Sequence, residues 1–246
     1  MILLVALLAA AAPGDVLPPQ AAGVMQCEKD AGAAQRACRA LEAQLLGKFA
    51  EAATEFEAGA GMLKPGDPAI DKMLAAAGNM WIAAGEPAKA GAALDKGLAG
   101  TGLLGDQRGE ALLDRARAAE AQGDLKTARA KVSAASETIA KDPFLWYFSA
   151  ALAIREQDAA AAKTAIARAL TLAPNDATIL FEAGHVYEFA GEDDKARDYW
   201  TRASAADPKG KSGDAARKAL SMMDVPLTVT GKVATPPAEE AKEPGK

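Results

Sequence analysis

The clearest unit of an internal repeat is residues 177–210, ATILFEAGHVYEFAGEDDKARDYWTRASAADPKG. It aligns without a gap on residues 143–176, PFLWYFSAALAIREQDAAAAKTAIARALTLAPND, at a spacing of 34 residues. The same spacing extends upstream to residues 109–142, and two more units, 71–104 and 33–66, are each followed by an insertion of four residues. A period of this length is typical of chains built from stacked supersecondary units. The sequence therefore predicts five repeats.

Three positions of the unit are small in every repeat, which accounts for many of the chain's 63 alanines. Small side chains at fixed positions let helices cross closely. Position 8 holds Ala40, Gly78, Ala116, Ala150 and Gly184; position 20 holds Ala52, Ala90, Ala128, Ala162 and Ala196; position 27 holds Gly59, Gly97, Ala135, Ala169 and Ala203. Position 24 is large and apolar throughout, as Phe56, Leu94, Val132, Ile166 and Trp200.

A break recurs at positions 15 and 16 of each unit, as Gly47-Lys48, Gly85-Glu86, Gly123-Asp124, Gln157-Asp158 and Gly191-Glu192. A glycine that ends one helix, followed by a polar turn, is typical of an antiparallel helix pair. Alanine is also the best helix former. The sequence therefore predicts an all-α fold in which each unit is a helical hairpin.

The pattern resembles the tetratricopeptide repeat family over residues 33–210. The unit from Ala177 carries most of that signature, as Leu180, Gly184, Tyr187, Gly191, Ala196, Trp200, Ala203 and Pro208. The resemblance implies a right-handed superhelix (an α-solenoid) whose concave face binds a peptide or protein segment. The first unit departs from the signature with Arg36 and Arg39, so it is either a regular repeat or a capping hairpin. Residues 211–223 are expected to form a final capping helix, and the Pro-rich residues 224–246 a disordered tail.

In the resembled fold, positions 2, 5, 9, 12 and 13 of each first helix line the concave face. Carried over residue by residue, these positions nominate a peptide groove formed by Asn79, Arg117, Tyr147, Arg155, Phe181, His185 and Phe189. The alternative is that the aromatic residues are core under the capping helix and that His185 is structural. Capture of a terminal carboxylate is not supported, because Ala75 precedes Asn79 on the same face.

The N-terminus suggests export. Residues 2–12 form an apolar run of secretory length, so residues 1–12 are expected to be a signal peptide and 13–32 an N-terminal segment, with a periplasmic or secreted protein as the result. The run lacks a preceding Lys or Arg, and the alternative is a buried or interfacial helix of a cytoplasmic protein.

The two cysteines, Cys27 and Cys38, follow the expected signal segment. An oxidising compartment favours a disulfide between them, which requires a chain reversal near Gly32 because 11 residues of continuous helix would hold them too far apart. The alternative is two free buried thiols. Two cysteines and a single histidine do not suggest a metal site.

Other function classes find little support. The net charge of −5 and pI near 5.1 argue against nucleic acid. The motif Gly100-Thr101-Gly102-Leu103-Leu104-Gly105 lacks the preceding strand of a dinucleotide site and is expected to be a loop. With one histidine, no enzyme, cofactor or small-molecule substrate is expected. The sequence predicts a non-catalytic scaffold that binds a protein or peptide, or alternatively a structural subunit that self-associates or joins an envelope assembly through its repeat ends.

Overall fold

The computed structural model describes Cys27 and residues 31–223, which form eleven α-helices and no strand. The helices are α1 (Gly32–Leu45), α2 (Phe49–Gly61), α3 (Pro68–Ala83), α4 (Pro87–Ala99), α5 (Asp106–Ala121), α6 (Leu125–Ala135), α7 (Pro143–Arg155), α8 (Ala159–Leu172), α9 (Ala177–Phe189), α10 (Asp193–Ala206) and α11 (Lys211–Met223). The expected signal peptide and C-terminal tail lie outside the described residues. None of the described helices is long and apolar enough to cross a bilayer.

The helices stack in two layers. Successive helices form hairpins, and each hairpin packs on the next one along the chain. The odd-numbered helices also contact one another, as α3 with α5 and α7 with α9, whereas no two even-numbered helices among those described pack together to the same degree. The layer of odd-numbered helices is therefore the more closely packed one and is called the inner face below, and α11 covers α9 and α10 at the C-terminal end.

Position 15 ends the first helix of every hairpin in a left-handed conformation. The φ angles are +70° at Gly47, +75° at Gly85, +79° at Gly123 and +73° at Gly191. Gln157 occupies the same position in the fourth unit with φ +61°, the one non-glycine residue of the described chain with positive φ. A left-handed residue after the last helical turn reverses the chain, and glycine adopts that conformation without steric cost.

The small residues that recur in every repeat pack against the large residue at position 24. All fifteen Ala and Gly residues at positions 8, 20 and 27 are buried. A Cβ placed on Gly184 would lie 2.2 Å from Nε1 of Trp200, and one on Gly78 would lie 2.3 Å from Cγ of Leu94. Position 8 is small because the position-24 side chain of the same unit packs directly on its backbone.

Three residues of each four-residue insertion become helix, and the first residue of each is the N-cap. α3 and α5 have 16 residues each, against 13 for α7 and α9, because the extra residues add a first turn to each helix. In α3 the Asp67 carboxylate caps the new turn by accepting from the Ala69 amide at 2.9 Å, with Pro68 at the first helical position.

The glycine motif of residues 100–105 is the loop between α4 and α5, as predicted from its context. It wraps around the buried Asp71 of α3, whose Oδ2 accepts a hydrogen bond of 2.7 Å from the Gly102 amide. A Cβ on Gly100 would lie 2.0 Å from the Asp71 carboxylate. The glycines therefore allow close approach to a side chain of the same protein.

Cys27 and Cys38 are joined by a disulfide, with a Cα–Cα distance of 5.4 Å. Cys38 lies in α1, and Gly32 at the start of that helix has φ +61°. The bond ties Cys27, which is buried, to the first hairpin.

Candidate functional site

A groove of about 480 Å³ opens on the inner face between α7 and α9. It is lined by Ala151, Ile154, Glu182, His185, Glu188 and Phe189. Five of these six residues occupy positions 9, 12 or 13 of their units, which the resemblance placed on the concave face. His185 and Phe189 are the two nominated groove residues that line it directly.

His185 bridges the groove and the core of the last hairpin. Its ring meets that of Phe181 edge-on at 4.6 Å and that of Trp200 at 5.3 Å. Its Nδ1 lies 3.5 Å from Oε2 of Glu188, one helical turn further along α9, and 39% of its side chain is exposed. The imidazole is therefore held by packing and also presents an edge to a ligand.

The other two nominated aromatic residues contribute mainly to packing. Phe181 packs against the cluster that contains Trp200 and Ala216 under α11, and its carbonyl accepts a hydrogen bond from the Trp200 indole at 3.1 Å. Tyr147 packs against the core formed by α7, α8 and α9. Burial, and then the neighbouring Glu182, raise the pKa of the Tyr147 phenol. Neither side chain is among the residues that line the groove.

Asn79 and Arg117 meet at a carboxylate on the inner face between α3 and α5. The Asn79 side-chain amide donates to Oδ2 of Asp114 at 2.7 Å, and the Arg117 guanidinium lies 3.0 Å from Oδ1 of the same residue. Burial raises the pKa of Asp114, although Arg117 and Asn79 act to lower it. Asn79 is thus engaged in a contact between neighbouring repeats, and Arg117 is paired within its own helix.

Arg155 is likewise paired, with Glu120 of α5 across the α5–α7 junction. The two arginines that the sequence offered as donors to a ligand therefore already have carboxylate partners. The positive charge of each of these arginines is therefore compensated within the protein.

Glu182 is a groove residue that sequence reasoning missed. It stands at position 6 of its unit, which the resemblance does not assign to the concave face, yet it lines the groove. Burial raises its pKa to about 7. The sequence did contain a signal at position 6 of the repeat. This position is a carboxylate in two units, as Asp114 and Glu182, and is apolar in the other three, as Cys38, Ala76 and Phe148.

The site offers binding surface. Within the described part of the chain, no three His, Cys, Asp or Glu side chains are grouped so that they could hold a metal ion. The groove lining combines apolar side chains with two carboxylates and one imidazole edge. Such an arrangement suits recognition of an extended or helical segment.

Comparison with known proteins agrees with this architecture. No family model matches the sequence, and no curated protein matches it significantly. Solved structures do match in fold. MamA matches at 18% identity and a TM-score of 0.57, and the alignment covers 72% of this chain and 92% of MamA. PilW, a type IV pilus biogenesis factor, matches at 18% identity and a TM-score of 0.63 over 74% of this chain and 81% of PilW, and YrrB, described as a TPR protein with an unusual peptide-binding site, matches at 17% identity and a TM-score of 0.55 over 78% of this chain and 93% of YrrB.

The described chain is an all-α solenoid of helical hairpins with a groove on its inner face. Its fold is that of tetratricopeptide-repeat proteins, and the fold expected from the 34-residue period is confirmed.

Proposed function

We propose that this protein is a non-catalytic scaffold that binds a peptide or protein segment in the groove between α7 and α9. The observation that carries the proposal is the groove itself, in which Ile154, His185 and Phe189 present apolar surface beside two carboxylates. Apolar anchors within a rim of charge are typical of segment-binding surfaces. The described peptide-binding site of YrrB, which shares the fold, adds support.

Site-specific crosslinking tests the proposal. A photoreactive amino acid at position 189, in the groove, should capture a partner from the native host, and mass spectrometry should place the crosslink within one short segment. The matched control is position 172, where Leu172 is 41% exposed on α8 outside the groove. With the identified partner purified, the double variant His185→Ala, Phe189→Ala should weaken binding at least tenfold, whereas Leu172→Ala should not. Equal capture from both positions, or unchanged affinity of a double variant that keeps its helical circular dichroism, would contradict the proposal.

A second candidate is a structural subunit that associates through its ends. Among the described residues, several exposed large apolar side chains lie in the terminal elements: Leu45, Leu46 and Met62 in the first hairpin and Met222 in α11. Exposed apolar surface at stack ends favours association. Light scattering after size exclusion tests it, since the mass of a single chain at every concentration rules self-association out.

We further propose that the protein is exported to the periplasm or secreted. The apolar run of residues 2–12 and the disulfide between Cys27 and Cys38 support this location, because structural disulfides persist in oxidising compartments. Mass spectrometry of the protein from its native host should find the N-terminus cleaved near Ala12. An intact Met1 would overturn the proposal.

A further inference from the structure

The groove contains a carboxylate without a basic partner. Glu182 lines it, and no hydrogen bond or ion pair joins its side chain to another described residue. Two carboxylates further along this face are engaged, Asp114 by Asn79 and Arg117, and Glu120 by Arg155. Glu182 is therefore the more buried of the two groove carboxylates, and no partner among the described residues compensates its charge.

This arrangement is costly for the unbound protein. A half-buried ionised carboxylate without a partner loses hydration that nothing replaces, and burial alone raises the pKa of Glu182 to about 7. A cation that enters the groove would restore the lost interaction. This cost favours a cationic ligand group, because an acidic group would be repelled by the carboxylate and a neutral donor would supply a hydrogen bond without an opposite charge.

The walls around Glu182 suit a long basic side chain. Ile154 and Phe189 give apolar surface along the groove, and Ala151 leaves room beside them. Lys and Arg side chains place their methylene stems on such surface while the charged head reaches a polar group. Glu188, 51% exposed at the rim, adds a second carboxylate. Arg155, a neighbouring cation, is held by Glu120 and does not fill this role.

The inner face beyond the groove also carries a surplus of negative charge. Burial raises the pKa of Glu110 on α5, and the neighbouring carboxylates Asp106, Asp114 and Asp142 raise it further. A segment lying along this face meets uncompensated carboxylates at both α5 and α9. Charge complementarity therefore favours a basic occupant over an acidic one.

We propose that the α7–α9 groove selects a Lys or Arg side chain of the bound segment, with its stem against Ile154 and Phe189 and its cationic head at Glu182 and Glu188. This inference rests on the segment-binding function proposed above. It identifies the occupant as a segment with an apolar and a basic residue close together.

Selection from a random peptide library provides the first test. A library of dodecapeptides displayed on phage should give binders enriched in Lys or Arg at one aligned position. The isosteric variant Glu182→Gln should lose this enrichment while still selecting peptides, and the matched control Glu137→Gln, at an exposed site outside the groove, should keep it. Binders that compete with one another and lack a basic residue would overturn the inference and leave the segment-binding function standing. If no peptide binds, the proposed function and this inference both fail.

A double-mutant cycle on one selected peptide gives the second test. Replacing its basic residue by citrulline, or by norleucine if it is a lysine, should weaken binding to the wild type about tenfold or more. The same replacement should weaken binding to Glu182→Gln less than threefold, as measured by titration calorimetry. Equal losses of affinity for the two proteins would show that Glu182 does not interact with the basic residue and would overturn the inference. Unchanged circular dichroism and thermal unfolding establish that Glu182→Gln is folded.

Discussion

Gln157 ends α7 where the other hairpins use glycine. Its φ of +61° places a side chain with a Cβ in the left-handed region, which costs about 1 kcal/mol relative to glycine. Its side chain is exposed and donates one hydrogen bond, of 3.3 Å, to the Ile154 carbonyl. We expect Gln157→Gly to raise the free energy of unfolding by about 0.5–1 kcal/mol in urea denaturation, since relief of the left-handed strain exceeds the loss of this weak bond.

The reciprocal change serves as the control. Gly191 has φ +73° at the same position of the next unit, and a Cβ there meets no atom within 4 Å. Gly191→Gln should therefore destabilise the protein by a similar amount through backbone conformation alone. If the two substitutions change stability in the same direction, the conformational explanation is wrong.

Glu182 should make stability depend on pH. Its pKa is about 7 in the folded protein, above the value near 4.5 of an exposed carboxyl, so the folded state holds this proton more tightly. Its contribution to stability is therefore lost as pH rises from about 4.5 to about 7. Glu182→Gln removes the titration and should be more stable than the wild type at pH 8, by up to about 3 kcal/mol, and similar to it at pH 4.

This comparison isolates one group among several. Tyr147, His185 and Glu188 also lie near the groove and are present in both proteins, and the Tyr147 phenol, whose pKa burial raises, stays protonated from pH 4 to pH 8. Denaturant unfolding at a series of pH values measures that difference. A gap that stays constant from pH 4 to pH 8 would contradict the assignment.

The sequence predicted part of the site at this scale. His185 and Phe189 were found because repeat position alone places them on the inner face. The engagement of Asn79 with Asp114 and of Arg155 with Glu120 was not visible, because each contact joins residues 35 apart. Whether a charged side chain is free or already paired depends on its neighbour across the helix junction, which a repeat signature does not specify.

At the scale of the element, the hairpin depends on the match between positions 8 and 24. Gly184→Ala would place a Cβ 2.2 Å from the Trp200 ring and should destabilise the protein by about 1–3 kcal/mol. The fourth unit shows the compatible alternative, because Ala150 and Ile166 occupy the same two positions and are fully buried. In the background Trp200→Ile, Gly184→Ala should therefore cost much less. Urea denaturation of the four proteins measures this coupling, and additive effects would refute the pairing.

Helix positions followed from the repeat, but helix lengths did not. The break at position 15 and the small positions marked where helices turn and cross, and these depend on local residue types. The inserted residues at the start of α3 are helical because Asp67 caps that helix and Pro68 begins it, and because the loop before α5 packs over Asp71. The closing contact joins residues 31 apart, so the spacing of the glycines alone did not reveal what they surround.

The whole molecule is a series of neighbouring cores. One cluster of buried side chains runs through α1–α6 into α7, a second joins α7, α8 and α9, and a third joins α9, α10 and α11. The groove lies between α7 and α9, and α9 contributes buried side chains to both the second and the third cluster. In a linear stack each unit is stabilised by its neighbours, so the order of the groove depends on the capping helix that does not line it.

Substitution of a capping residue tests this dependence. Ala216 on α11 is fully buried against the cluster that contains Leu180 and Trp200. Ala216→Asp places a carboxylate there without a partner and should detach α11, at a cost of several kcal/mol. Hydrogen exchange should then accelerate in α9 and α10 and remain unchanged in α1–α4, and binding in the groove should weaken.

Met222→Asp is the matched control, since Met222 lies on the same helix and is 73% exposed. It should leave exchange unchanged in every helix. If Ala216→Asp accelerated exchange equally from α1 to α10, the molecule would unfold as one cooperative unit and the separate cores would have no energetic meaning. A change confined to α9–α11 would instead mean that the C-terminal end of the stack can open while the first hairpins stay folded, so that ligand binding and docking of α11 stabilise each other through α9.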